Sequence, residues 1–297
     1  MKKIKTSAPG KLMLFGEHAV VYDYPCIVTT VSPRVYVEIE ETSGKYRIEA
    51  PQVKSTRFVE ESIKIFKQKY NVNGEMLVKT YSDFSSQYGF GSSSAVTVAT
   101  IYALSKYHKI DLTNKEIFDM GYKVVQQVQG VGSGFDIAAA TYGGTIYFVT
   151  GGKVIEPLLI SELSLIVGYS GTKADTSNLV KNLKANFHIF DNIKKIVETA
   201  KKTITNGEWK KTGELMNQNH KYLQQLGVST EKLDNMCQAA ILSGAYGAKL
   251  SGAGGGDCMI ALVSSDKIKS IESAIVNVGG EIINVNNNVQ GVKLEKI

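Results

Sequence analysis

Tyr88-Gly89-Phe90-Gly91-Ser92-Ser93-Ser94-Ala95 closes a polar segment, Ser82 to Gln87, and opens an apolar, helix-like run through Val98, Ala99, Tyr102 and Ala103. Glycine tolerates backbone angles that other residues avoid, and it lets a ligand approach the main chain closely. A helix starting here points unpaired N–H groups and a partial positive charge back at the loop. Phosphate is the guest such a loop suits best. A serine hydroxyl beside it is a candidate Mg²⁺ ligand. The competing reading is a serine N-cap behind a glycine turn, and the loop alone does not separate the two.

On the N-terminal side, Lys11 to Phe15 is an apolar run bounded by Pro9-Gly10 and Gly16. Cys26 to Val31 and Val35 to Ile39 are β-rich, with Pro33 between them, and Ser43-Gly44 predicts a hairpin-like turn before a strand over Tyr46 to Glu49. Phe58, Val59, Ile63, Phe66 and Tyr70 share one helical face, and Glu75 to Thr80 is a short strand leading into the loop. On the C-terminal side, Thr113-Asn114-Lys115-Glu116 has the capping-box spacing, and its helix should end at Gly130. Phe135 to Ala140 restarts a small-residue segment, Thr145 to Val149 is a strand, and Gly151-Gly152 marks a second hairpin-like turn. A seam follows, dividing residues 1–155 from 156–297. Beyond it come a strand at Leu163 to Gly168 and three helices within 176–244. The first of these carries Leu179, Leu183, Phe187, Phe190, Ile193 and Val197. A strand (Gly247 to Ser251), a glycine loop (Gly252 to Gly256), a strand (Cys258 to Val263) and a helix (Asp266 to Val276) precede closing strands at Ile282 to Val285 and Val289 to Leu294. Strands and helices mix without strict alternation, which argues for α+β over a doubly wound sheet.

The 297 residues suffice for a large core, near the length at which chains split into two domains. Net charge is +6, but only three of the 34 basic residues are arginine (Arg34, Arg47, Arg57), and no basic run alternates with aromatics. That pattern gives no support to nucleic-acid binding and suits an anionic small molecule. Cys26, Cys237 and Cys258 are scattered and odd in number, which fits neither a disulfide framework nor a zinc spacing. No run of about 18 apolar residues predicts a membrane span. The expectation is a cytoplasmic enzyme or binding protein.

Lys249-Leu250-Ser251-Gly252-Ala253-Gly254-Gly255-Gly256-Asp257-Cys258 carries four glycines in five positions between two strands. A hairpin needs one or two. Four predict a backbone passing close to a substrate or to the other glycine loop. Neither loop has the lysine of a Walker A motif, and the loop at Gly89 lacks the third glycine of a dinucleotide fingerprint. Asp136 sits between Phe135 and Ile137 after a glycine turn, so it is expected to be part-buried and to need a partner. Lys11 is the candidate partner, and an Asp N-cap is the alternative. Gly16-Glu17-His18 interrupts an apolar stretch with a charged pair, either a substrate-facing loop or a surface turn.

Three motifs in this order resemble those of the GHMP kinases: Ala8-Pro9-Gly10-Lys11 with Gly16-Glu17-His18, then Gly89 to Ser94, then Gly252 to Gly256. The resemblance spans about Ser7 to Leu262. Within the superfamily, Gly16 to Tyr22 looks like the mevalonate kinases. Gly132 to Asp136, Gly254 to Cys258 and Gly89 to Ala99 look more like the phosphomevalonate kinases. The resemblance implies an N-terminal domain like domain 2 of ribosomal protein S5 and a ferredoxin-like C-terminal domain. It implies that Gly89, Phe90, Gly91, Ser92, Ser93 and Ser94 wrap the ATP phosphates, with Ser93 on Mg²⁺. Asp136 would be the catalytic base, with Lys11 holding the substrate hydroxyl or the Asp136 carboxylate. Glu17, His18, Thr176, Gly252, Ala253 and Gly254 would line the acceptor site. The position of the family's Mg²⁺-binding glutamate, eleven residues before the aspartate, holds Val125. The activity implied is ATP-dependent phosphorylation of the 5-hydroxyl of mevalonate in isoprenoid biosynthesis. The alternatives are 5-phosphomevalonate as acceptor and a catalytically silent nucleotide-binding protein. No nucleic-acid or membrane partner is implied, and a homodimer is compatible with the reading.

Overall fold

The strand-forming runs of the first 50 residues join into two long antiparallel strands, β1 (Lys3–Phe15) and β2 (Pro25–Glu41). The computed structural model describes residues 2–44, 46–160, 162–174, 179, 183 and 185–296. The two β-rich runs flanking Pro33 are thus one strand. Along β1 the register slips: Pro9 faces Arg34, but Gly10 faces Val31. Ser32 and Pro33 are the extra residues of a bulge, which is where a strand tolerates a proline that has no N–H to donate. The strand also changes partner there. Its first part, Pro25 to Thr29, pairs with β5 (Thr145–Val149), and its second, Val35 to Glu41, pairs with β4 (Met76–Ser82).

The strand β3 (Arg47–Glu49) does not form the expected hairpin with β2. It pairs with β4, and in parallel. Both edges of that part of β2 are taken, by β1 and β4. Parallel strands need a crossover, and α1 (Arg57–Tyr70) supplies it between β3 and β4. The Gly151-Gly152 turn does form a hairpin, pairing β5 with β6 (Val154–Leu158).

Three further helices, α2 (Ser92–His108), α3 (Asn114–Gln129) and α4 (Phe135–Tyr142), join α1 on this sheet. Helix α2 packs against β1, β2 and the other three helices. Ala95, Val98, Ala99, Ile101, Ala103 and Leu104 are all buried, as expected of a helix apolar all round. The capping box of α3 is formed on both sides, and Gly130 ends the helix in the left-handed conformation.

A second, antiparallel sheet has the order β10-β7-β9-β8, from β7 (Leu165–Tyr169), β8 (Gly247–Ser251), β9 (Cys258–Leu262) and β10 (Glu281–Ile282). Helix α5 (Phe187–Thr205) packs on β1 and β2 of the first sheet and on α6 (Trp209–Gln225), whereas α6, α7 (Glu231–Leu242) and α8 (Ile268–Asn277) pack on the second sheet. The long helix α5 begins later than its apolar spacing predicts. Asn186 caps it by accepting from Ile189 N, so Leu179 and Leu183 precede it. The closing strands shrink to β10 and β11 (Lys293–Leu294), which pairs with β1. Between them Asn286-Asn287-Asn288 breaks the ladder, with Asn288 at φ 57°. All three cysteines are buried and unbridged. Among the described residues, no helix is long and apolar enough to cross a membrane.

Candidate active site

Helix α2 opens at Gly91, which is its N-cap at φ 75°, and no side chain caps it. The serine N-cap reading therefore fails, and the helix N-terminus faces the Gly89–Gly91 loop. Ser92 and Ser93 are partly exposed, whereas Ser94 is buried. The Phe90 ring turns into the core against Phe84 and Tyr88, with centroids 5.6 and 5.7 Å away. Phe90 can offer a ligand only its backbone, and its carbonyl already accepts from Lys11 N at 3.0 Å.

Lys11 on β1 reaches into the same space. Its Nζ donates to Gly89 O at 3.0 Å, lies 3.5 Å from Asp136 Oδ1, and sits 5.3 Å from the centre of the Phe135 ring. The pairing expected from sequence is present. Asp136 is not a cap. Gly134 takes that position at φ 92°, and Asp136 stands in the first turn of α4. About a third of the Asp136 side chain is exposed, yet Oδ1 is fully buried and, among the described residues, has no hydrogen-bond partner. Burial pushes the Asp136 carboxyl above its ordinary value, and Lys11 opposes the shift. Oδ1 faces Lys11, so the other carboxylate oxygen, Oδ2, its charge balanced by that lysine, is the one equipped to accept a proton from a hydroxyl. A Cβ added to Gly91 would lie 3.1 Å from Lys11 Cε and 3.7 Å from Asp136 Cγ, so the loop, the lysine and the acid converge.

The second glycine loop is tight for a different reason from the one expected. A Cβ on Gly254 would collide with the Val228 carbonyl, one on Gly255 with Leu179 Cδ1, and one on Gly256 with Thr172 O. The protein's own packing accounts for these three glycines. Only Gly252 faces open space. The two glycine loops do meet, through Asp257, whose Oδ1 accepts from Ala174 N at 2.9 Å. Its Oδ2 would lie 2.5 Å from a Cβ on Gly89, at φ 70°. Cys258 Sγ donates to Tyr88 O at 3.3 Å beside it.

Glu17 and His18 are no surface turn. They lie at the seam between the sheets. Glu17 Oε1 accepts from Lys249 Nζ on β8, both side chains being fully buried, and Lys249 also donates to Leu250 O at 2.6 Å. Burial pushes Glu17 up and Lys249 down, each opposed by the other's charge. His18 holds a left-handed backbone, φ 60°, and its Nε2 is 2.7 Å from Ala253 O. Burial lowers its pKa, and because a carbonyl oxygen can only accept, Nε2 is the donor to Ala253 O. Nearby, Ser251 Oγ bridges Met13 N and O at 2.9 and 3.0 Å. The Cys26 thiol is pushed well up by burial and then by the negative charges of both Glu17 and Asp136. Thr176 lies outside the described residues, as do Lys181 and Lys184, lysines that could meet an acceptor phosphate in place of arginine.

Lys249 and Asp257 went unassigned from sequence. Lys249 carried the same signal as Lys11, a lysine within an apolar β run. Asp257 gave none beyond following the glycines. A groove of about 620 Å³ lies elsewhere, between Tyr142–Thr145, Pro157–Ile160 and Asn288–Gln290, and holds none of the residues above. Among the described residues, no three His, Cys, Asp or Glu side chains cluster as a metal site.

The GHMP kinases N terminal domain matches residues 57–144, and the GHMP kinases C terminal domain matches 190–280. The mevalonate kinase of Pyrococcus abyssi is 36% identical over 99% of this chain and 98% of its own length. The crystal structure of L. major mevalonate kinase in complex with R-mevalonate superposes at TM-score 0.80 and 27% identity, covering 96% of each chain. Streptococcus pneumoniae phosphomevalonate kinase, in complex with phosphomevalonate and AMPPNP, superposes at 0.87 over 97% of this chain and 100% of that one. Its 20% identity makes that a likeness of fold. Two family domains in order along the chain, and a relative matched from end to end, carry the same assignment as the loop, lysine and aspartate: the chain belongs to the GHMP kinases.

Proposed function

We propose that the chain transfers the γ-phosphoryl group of ATP to the 5-hydroxyl of mevalonate. The convergence of Lys11, Asp136 and the Gly89–Gly91 loop carries the reading, and the full-length likeness to mevalonate kinases supports the choice of acceptor. Asp136 takes the proton of the 5-hydroxyl as its oxygen bonds to the γ-phosphorus, the bond to the β–γ bridging oxygen breaks, and ADP leaves. Lys11 holds Asp136 in place and balances its charge. The N–H groups at the start of α2 and the Gly89–Gly91 backbone bind the phosphates. Phosphoryl transfer depends mostly on such positioning and neutralisation.

The residues present fit a Mg²⁺ ion that travels with ATP. Mg²⁺ keeps several waters and needs few protein ligands. Ser93 stands in the first turn of α2, and Asp136 faces the Gly91 cap of that helix, a Cβ there lying 3.7 Å from its Cγ. Ser93, phosphate oxygens and water would hold the ion, which when bound neutralises charge on the β- and γ-phosphates. Val125 is buried and packs against Gly132, so that position supplies no carboxylate.

The arginines favour mevalonate over its phosphate. An acceptor phosphate calls for bidentate cations. Arg34 is buried and spent on the Gln290 and Gly291 carbonyls and on Ser7. Arg47 pairs with Glu49 on the edge strand β3, and Arg57 opens α1. An ADP-release assay over mevalonate, 5-phosphomevalonate and a panel of other alcohols tests the reading. Turnover with mevalonate and Mg-ATP is expected, and ADP release that no acceptor raises above background would refute it.

A further inference from the structure

Lys249 is a fully buried cation in the middle of β8, and among the described residues its acceptors are Glu17 Oε1 and Leu250 O. A buried ion pair is a poor way to gain stability, because apolar replacements of similar size do as well or better. This one also joins residues 232 apart in sequence, across the seam between the sheets. Its segment is held in an unusual conformation. Gly16 is closed in by Pro25 O and Cys26, and His18 sits at φ 60°, a region that a bulky residue occupies only when its surroundings fix it there. Ala253 O and Lys249 are those fixings.

The pair also leaves something unspent. Among the described residues, Glu17 Oε2 and Asn219 Nδ2 are buried without hydrogen-bond partners, although Asn219 Oδ1 accepts from Gly16 N at 3.4 Å. Unpartnered buried polar atoms are uncommon, and one explanation is that they serve a bound group. Glu17 precedes His18, whose Nε2 bonds Ala253 O next to Gly252, a glycine with open space at its Cβ position, and this puts the 16–18 loop on the open side of the seam. We propose that Lys249 is a positioning residue of the acceptor site: by binding Glu17 Oε1 it fixes the 16–18 loop and holds Oε2 ready for a hydroxyl donor on the acceptor. On the reading above, mevalonate offers such a hydroxyl besides the one phosphorylated. Lys249 itself touches no substrate.

A double-mutant cycle tests this, using whichever alcohol the wild-type enzyme turns over, so that failure of mevalonate as acceptor and failure of the Lys249 role are separate results. Glu17→Gln, Lys249→Met and the double variant are compared for melting temperature and for KM of acceptor and of ATP. Lys249→Met leaves a lone buried carboxylate and should melt lowest. The double variant should melt near wild type. If Lys249 acts through Glu17, acceptor kcat/KM stays down about 30-fold or more in the double variant, close to Glu17→Gln alone, with KM for ATP within about threefold of wild type. A double variant that regains wild-type acceptor kcat/KM along with its stability would reduce the pair to a structural bridge and overturn the proposal. So would losses that multiply, because Lys249 would then act independently of Glu17. Should Lys249→Met fail to fold, Glu17→Gln against the double variant decides alone: equal acceptor kcat/KM, both well below wild type, upholds the role, and any other pattern overturns it.

Discussion

At the scale of single residues, Asp136 carries a conflict between stability and chemistry. Its folded pKa is raised by burial. The stability it contributes is therefore full below its ordinary pKa and is lost as pH rises through the folded value. Asp136→Asn lacks that loss. It should melt no lower than wild type at pH 8, bind ATP nearly unchanged, and lose roughly 10²–10⁴-fold in kcat. A variant with kcat within a few-fold of wild type would remove Asp136 from the mechanism. Gly91 meets a double constraint. A valine there must adopt the left-handed region and push on Lys11 Cε. Gly91→Val should weaken ATP binding more than acceptor binding, read by calorimetry on the folded variant. Unchanged ATP affinity would contradict the phosphate role of the loop.

At the scale of elements, what was legible was what is local. The capping box of α3, its end at Gly130 and the glycine start of α2 each depend on a few adjacent residues. The β3–β4 pairing was hidden, because it depends on which strand edges are already filled. The partners Lys249 of Glu17 and Asp257 of Gly89 were hidden for the same reason, since tertiary topology alone brings them together. The Lys11–Asp136 pair was readable because each residue stood out as a charge inside an apolar run. Helix α3 shows how packing decides the meaning of a position. Val125 is in contact with Gly132, in the turn that leads to Asp136. Val125→Glu should bury an unpaired carboxylate and destabilise the fold by about 2 kcal/mol or more, without tightening Mg²⁺. Chemical denaturation reads the first effect and metal titration the second. A variant as stable as wild type, with tighter Mg²⁺ binding, would show that the helix can turn that side chain into the site. The seam has its own pH signature. His18 at the seam, and His220 on α6, whose Nδ1 accepts from Leu250 N at 3.3 Å and whose Nε2 lies 3.0 Å from Asp234 Oδ1, are both lowered by burial. Their contribution is present above their ordinary value, about 6.5, and lost as pH falls through it, because the unfolded chain takes up protons the folded one refuses. Melting temperature should drop between pH 7.5 and 5.5. His18→Asn, which tolerates the left-handed backbone, should lessen the drop, and an unchanged drop would clear His18 of that role.

At the scale of the molecule, the two sheets meet where the chemistry is proposed. The start of the chain supplies Lys11, Glu17 and His18, the middle supplies the α2 loop and Asp136, and β8 with its glycine loop closes the far side. The last strand, β11, returns to β1, and Arg34 clamps the preceding Gln290-Gly291. That clamp takes away the one buried arginine an acceptor phosphate would want. The chain's motifs divide between two kinds of acceptor, but none of its three arginines lies in the glycine motifs. The direct measurement is kcat/KM for mevalonate against 5-phosphomevalonate on one enzyme preparation, at saturating Mg-ATP. Mevalonate should be preferred by about tenfold or more, roughly 1.4 kcal/mol in transition-state binding. A tenfold preference for the phosphorylated acceptor would contradict the account of the acceptor site and leave the kinase standing.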